Sequence, residues 1–193
     1  MKTILIDNGH GRETPGKCSP DGTLREWQWT RTFARLLAAR LKANGFNPVL
    51  LVPEETDVPL SERVRRANSH GPGAILLSIH NNAAGNGSTW TDARGFSAFV
   101  APNASAASRS LAAELTRQAV GHGLAGNRAT PPCGHWTASL AMCRDTRCTA
   151  VLTENLFMDN RADLALLHSP AAVESLLQVH VAAIASCSDR REE

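Results

Sequence analysis

Two histidines and two glutamates stand out in this chain of 193 residues, because each closes or opens a segment that ought to be rigid. The run ILIDNGHG (4–11) carries His10 to the tip of an apolar stretch with the pattern of a buried strand. The run AILLSIHNN places His80 just past a second such stretch, TAVLTEN places Glu154 just past a third, and Glu26, in LREWQW, opens the first helical pattern. Open α/β sheets bind ligands outside the carboxyl ends of their strands, so the four residues are candidates for one site. Two imidazoles and a carboxylate are a ligand set for catalytic zinc, which needs three protein ligands and one open position for water. His10, Glu26 and His80 supply that set. Bound zinc brings the pKa of its water from about 15.7 toward 7 and polarises a carbonyl. Glu154 is then the proton carrier, taking a proton from the attacking water and passing it to a leaving nitrogen. An acidic residue closing an apolar strand is costly unless it faces a wet cleft or finds a partner. Glu26, taken alone, reads equally as a carboxylate favoured by the dipole of a helix N-terminus.

Other polar motifs carry less. His70, His122, His168 and His180 read as structural, whereas His135, in the PPCGHW loop, is placed to touch a substrate. The spacing of Cys133 and His135 matches no common zinc motif. The GxG in DNGHG has neither the GxGxxG spacing nor the lysine of a nucleotide loop.

The elements that must position these groups alternate strand and helix. Residues 2–7 read as a central strand, and a helix follows over about 26–44, where Trp29, Phe33, Leu36, Leu37 and Leu41 keep the helical period until Asn44-Gly45 stops it. PVLLV (48–52) is a second strand, and LSERVRRAN lies on a helix to about Asn68 with a basic outer face. AILLSIH (74–80) and GFSAFV (95–100) are strands, and 104–120 is an amphipathic helix. Residues 121–136 form a long irregular stretch, of the kind that is functional or mobile in a compact domain. SLAMCR (139–144) and AVLTE (150–154) complete six strands, and Pro170 starts a C-terminal helix with Val173, Leu177 and Ile184 inward. The pattern predicts a three-layer α/β sandwich, a twisted, mostly parallel sheet of about six strands with helices on both faces. One domain over residues 1–187 is expected, followed by a disordered charged tail at 188–193.

Composition bounds the function. With 42% hydrophobic and 20% charged residues and a net charge of +2, the chain has the balance of a globular protein, with no charge signature for nucleic acid. No stretch reads as a membrane span, and the first strand starts too near Met1 to leave room for a signal peptide. Five cysteines, odd in number and without CxxC spacing, suit a reducing compartment better than a disulfide framework. A monomer made in the cytoplasm is expected.

Read in order, IDNGHG with His10, Glu26, LSERVRRAN, LLSIHNNA with His80, ARGFSAFV, GLAGNR, LAMCR and AVLTENLFMDN with Glu154 resemble the zinc-dependent N-acetylmuramoyl-L-alanine amidases, of the type found as cell-division amidases, sporulation autolysins and phage endolysins. The resemblance covers nearly the whole chain. Asn8 stands where members commonly have proline, and Asn155 where glycine is not unusual. The resemblance implies an α/β sandwich, zinc on His10, Glu26 and His80, Glu154 as the catalytic glutamate, and peptidoglycan as the substrate, cut between N-acetylmuramic acid and L-alanine. It also implies a protein that acts on the cell wall, reached by phage lysis or another export route. The helical insert that blocks zinc in regulated division amidases has only the short VAPNASAASRSL in its place, which implies an unregulated core. Two other functions share parts of the pattern. A zinc carboxypeptidase acting on the stem peptide calls for Arg128 or Arg144 as a carboxylate clamp and an HxxE spacing that His10 and Glu26 lack. A non-catalytic peptidoglycan-binding module has no need of all four site residues.

Overall fold

The computed structural model describes residues 1–189. Six strands, β1 (Thr3–Asn8), β2 (Asn47–Leu50), β3 (Ile75–Asn82), β4 (Ser97–Val100), β5 (Trp136–Thr137) and β6 (Thr149–Phe157), form one sheet in the order β2-β1-β3-β6-β4-β5. β1 lies parallel between β2 and β3, β6 is parallel to β3, and β4 runs antiparallel to β6 and parallel to β5. The chain leaves β1 to one side for β2 and returns on the other for β3, so the strand order reverses at β1. A crevice opens at such a reversal, beyond the carboxyl ends of the strands, and His10 and His80 follow or end the two strands that flank it.

The strands read as unbroken apolar runs because both faces of the sheet are covered. On one face Ile4, Ile6, Leu77, Ile79 and Val151 pack under α1 (Glu26–Ala43), α3 (Ala106–Gly121), α5 (Arg161–His168) and α6 (Pro170–Asp189). On the other face Leu5, Leu76 and Ala150 meet Ala67 of α2 (Leu60–Asn68) and Met142 of α4 (Ala141–Arg144). In α1, Phe33, Leu37 and Leu41 are fully buried at helical spacing, each contributing about 1.5–3 kcal/mol. That anchoring fixes where Glu26, the first residue of the helix, points. Gly45, at φ +82°, ends the helix in the left-handed conformation that glycine adopts without strain.

The α/β sandwich agrees with the sequence, and three elements differ from it. SLAMCR is not a strand. Its residues 141–144 form α4, and the edge strand is instead the two residues of β5, Trp136 lying opposite Phe99. A short apolar run has no periodicity that separates strand from helix, and here Met142 and Cys143 are buried from a single helical turn. α5 was not expected, although Asn160 caps it, its side chain accepting from the backbone N–H groups of Ala162 and Asp163. Residues 170–188 are, by length and composition, long and apolar enough to cross a membrane, contrary to the sequence expectation. Leu176, Leu177, Val179, Ala183 and Ile184 of that helix are nonetheless buried in the core, which accounts for its apolar character. Ser188 and Asp189 end α6, and the rest of the charged tail lies outside the described residues.

Candidate active site

The structure brings His10, Glu26 and His80 together. One ligand atom from each lies within 4.8 Å of the other two. Glu26 sits between the imidazoles, Oε1 3.0 Å from His80 Nδ1 and Oε2 3.3 Å from His10 Nε2. The two rings stand perpendicular, with centres 4.9 Å apart. Oε1 also accepts the Asn81 backbone N–H at 3.0 Å, whereas Oε2 is sealed from solvent without a hydrogen bond. A buried carboxylate with an orphaned oxygen, facing two imidazoles, is a donor set suited to a cation, and its composition fits zinc. Burial works against the charge on Glu26, but its contacts with His10 and His80 outweigh that and hold its carboxyl well below the ordinary range. Burial likewise opposes charge on His80, and the hydrogen bond and charge of Glu26 raise its pKa in spite of it.

Each ligand is held by its own backbone setting. Gly9 follows β1 and donates its N–H to the Ile79 carbonyl, and its bare Cα faces the His80 ring so closely that a Cβ there would lie 2.4 Å from Cε1. His10 has φ +62°, a left-handed conformation unusual for a residue with a side chain. Its carbonyl accepts from Arg31 Nη2 and Arg63 Nη2, both at 3.0 Å. Arg63 also donates to Asp7 Oδ1 at 2.8 Å and to the Asn8 and Val58 carbonyls, and Ser78 Oγ donates to Asp7 Oδ2. Arg31 Nε donates to the Glu54 carbonyl at 2.8 Å.

Glu154 reaches the same place from the sheet. It lies opposite His80 across the parallel β3–β6 pair, so both side chains emerge on one face. His10, Glu26, His80 and Glu154 line a cavity of about 310 Å³, completed by Lys17, Asn82, Leu140, Leu152 and Met158. Glu154 Oε2 is shielded and has no hydrogen bond. Burial pushes its carboxyl up to about 7; Glu26 adds to the rise, while His80, Lys17 and Arg128 oppose it. Asn155 ties the two strand ends together, donating to the His80 carbonyl at 3.1 Å while its own carbonyl accepts from Asn81 Nδ2 at 2.8 Å.

The four residues singled out in the sequence therefore meet. His135 is buried beside Cys133, whose Sγ is 3.9 Å from its Nδ1, and neither lines this cavity. His180 is a core histidine, held by Thr153 and the Leu176 carbonyl between the rings of Phe33 and Phe96. Cys18, Cys133, Cys143 and Cys148 form no disulfide. Arg31, Arg63, Lys17, Asn81 and Asn155 escaped the sequence. LSERVRRAN has the basic outer face that its sequence suggests, with Arg65 exposed, but Arg63 is 2% exposed and turns in to Asp7.

A family model described as N-acetylmuramoyl-L-alanine amidase matches residues 4–186. The chain is 32% identical over 190 residues to N-acetylmuramoyl-L-alanine amidase CwlM of Bacillus licheniformis, covering 96% of this chain and 68% of that protein. It is 28% identical over 182 residues to the sporulation-specific N-acetylmuramoyl-L-alanine amidase of Bacillus subtilis, covering 93% and 66%. The chain thus spans about two thirds of the length of these relatives. Among solved structures, the N-acetylmuramoyl-L-alanine amidase from Clostridium difficile 630 superposes with a TM-score of 0.86 at 24% identity, over 97% of both chains, which establishes the fold. Taken with the match from the first strand into the last helix, these likenesses mean that the chain belongs to the N-acetylmuramoyl-L-alanine amidases, a family of hydrolases.

Proposed function

We propose that the protein is a zinc-dependent peptidoglycan hydrolase, cutting the amide between the lactyl group of N-acetylmuramic acid and the L-alanine of the stem peptide. The convergence of His10, Glu26 and His80 within 4.8 Å, with Glu154 opposite His80 on the next strand, carries this reading. Residues 1–187 act as one catalytic domain on the cell wall. Zinc held by the three ligands supplies a Lewis acid and a water that ionises near neutral pH.

The remaining chemistry falls to side chains already placed. Glu154, which lines the cavity with Oε2 unengaged, is placed to accept and release a proton. It takes the proton of the attacking water and delivers it to the leaving nitrogen. Glu26 fixes the ring orientation of both histidines, and through the Asn81 N–H it is tied to β3. Leu140, Leu152 and Met158 give the cavity an apolar wall. Between β4 and α3 only residues 101–105 intervene, so no helix is available there to cover the ligands, and activity without an activator follows.

Purified peptidoglycan incubated with the protein and analysed by mass spectrometry tests the reading. The expected products are stem peptides with a free L-alanine amino terminus and glycan with unsubstituted lactyl carboxylates, formed without a partner and abolished by chelators. Peptides shortened from their carboxyl end would replace the amidase with a carboxypeptidase. Arg144, one of the two arginines considered for such a clamp, is engaged by Asp145 and Ser139.

A further inference from the structure

Arg128 is a cation held beside the cavity without a carboxylate. Its Nη1 donates to Ser97 Oγ at 3.0 Å, and its guanidinium carbon lies 5.0 Å from the ring centre of Trp136 and 5.5 Å from that of Phe157. Ser97 and Phe157 are buried, so the guanidinium is fixed by two aromatic rings and a neutral hydroxyl. That environment orients the planar fork without cancelling its charge. Among the described residues, Nε and Nη2 make no hydrogen bond and no acidic side chain pairs with Arg128.

The register of the sheet says what this charge faces. Glu154 lies opposite His80 on β3 and opposite Ser97 on β4. Directly paired residues present their side chains on the same face, so His80, Glu154 and Ser97 form one row across three strands, and Arg128 extends it. Moving outward from the candidate metal ligand, the row passes the candidate proton carrier and ends in an unpaired cation whose charge is felt at Glu154.

We propose that Arg128 binds a free carboxylate on the peptide half of the substrate and so sets its direction in the cleft, peptide toward β4 and β5, glycan toward β1. This rests on the amidase reading above. The rung from Glu154 to Ser97 is about 4.8 Å, and the hydrogen bond to Arg128 adds 3.0 Å. An extended peptide advances about 3.3–3.6 Å per residue, which puts the carboxylate about two residues beyond the cleaved amide. A guanidinium takes a carboxylate through two parallel hydrogen bonds, a geometry that lysine cannot reproduce.

The test uses two N-acetylmuramoyl dipeptides that begin with L-alanine and differ only in the second residue, with free carboxyl groups in one and carboxamides in the other. The wild-type protein should favour the carboxylate substrate by about ten- to a hundred-fold in kcat/KM, mainly through KM. Arg128→Gln should reduce that preference to within about two-fold, losing far more on the carboxylate substrate than on the carboxamide, and Arg128→Lys should restore part of it. Ser97→Ala, which frees the guanidinium from its anchor, should shrink the preference as well. Equal losses on both substrates in Arg128→Gln, or no preference in the wild type, overturn the proposal. If Arg128→Gln fails to fold, an unaltered preference in both Arg128→Lys and Ser97→Ala overturns it equally. A wild type that releases no peptide from either substrate overturns the amidase reading and this inference with it, whereas cleavage with selectivity independent of Arg128 removes the inference alone.

Discussion

Gly9→Ala is the sharpest perturbation of the candidate metal site, because it adds a single methyl group where the structure leaves none free. The new Cβ would lie 2.4 Å from His80 Cε1, 2.5 Å from Nδ1 and 2.9 Å from Nε2, whereas ordinary contact begins at 3.4 Å. The ring tip must therefore retreat by about 1 Å, which ends the 3.0 Å contact of Nδ1 with Glu26. Zinc–nitrogen bonds are about 2.0–2.1 Å with a tolerance of about 0.2 Å, so a ligand moved that far no longer binds in place. Displacement of about 1 Å in a catalytic group costs on the order of 100-fold in rate. The atoms that yield are the far end of a side chain, so the fold should lose little. The expected result is a variant whose urea unfolding free energy stays within about 1 kcal/mol of wild type, while zinc content drops and amide cleavage falls at least about 100-fold. Gly73→Ala is the control. Nothing lies within 4 Å of its Cβ and its φ is not in the left-handed range, so it should be neutral or add about 0.4–1 kcal/mol of stability. Gly9→Ala with full zinc and full activity would show that His80 does not need its present position, and the ligand assignment would go with it.

Three further outcomes follow from the same geometry. Glu154→Gln should keep its zinc and lose at least about 100-fold in turnover, while Glu26→Gln should lose metal and activity together; metal analysis and cleavage assays run side by side would exchange the two roles if the pattern were reversed. Arg63→Met leaves Asp7, 1% exposed, without its counter-charge, and should destabilise the fold by about 3–5 kcal/mol in a denaturant titration; a shift below about 1 kcal/mol would mean that the pair is not desolvated. Burial pushes the pKa of His180 down to about 4, below its ordinary 6.5, so the unfolded chain binds the extra proton between those values. Stability should be intact above pH 6.5 and decline toward pH 4 by about 3 kcal/mol from this group. Urea titrations at several pH values should show a shallower acid slope in His180→Leu, and equal slopes would discount the histidine.

The site was legible where chemistry follows an apolar strand directly. His10 follows β1, His80 and Glu154 lie inside β3 and β6, which run two and three residues further than the sequence suggests, and Glu26 opens a helix whose buried face is marked by Phe33, Leu37 and Leu41. What holds those residues in place was not legible, because it depends on pairings far apart in sequence. Arg63 turns inward only because Asp7 waits at the end of a strand 56 residues earlier, and the periodicity of LSERVRRAN holds no trace of that. The left-handed backbone at His10 is likewise sustained by Arg31 and Arg63 rather than by local propensity. SLAMCR was misassigned for the opposite reason, being too short for periodicity to decide.

The stretch between β2 and α2 deserves a different kind of attention from anyone who wishes to redesign this protein. It contributes nothing to the cavity around Glu154, yet its carbonyls at Glu54 and Val58 anchor the two arginines that grip His10, its Glu55 carbonyl receives the Arg12 N–H, and its Asp57 backbone closes against Gly11. Adding or deleting one residue shifts a chain by about 3.3–3.6 Å, more than those hydrogen bonds can span. Length is therefore constrained in residues 51–58 more tightly than side-chain identity at its exposed positions, and loop grafting aimed at new substrates should begin in residues 83–94, where Ala83 and Gly85 line the cavity itself.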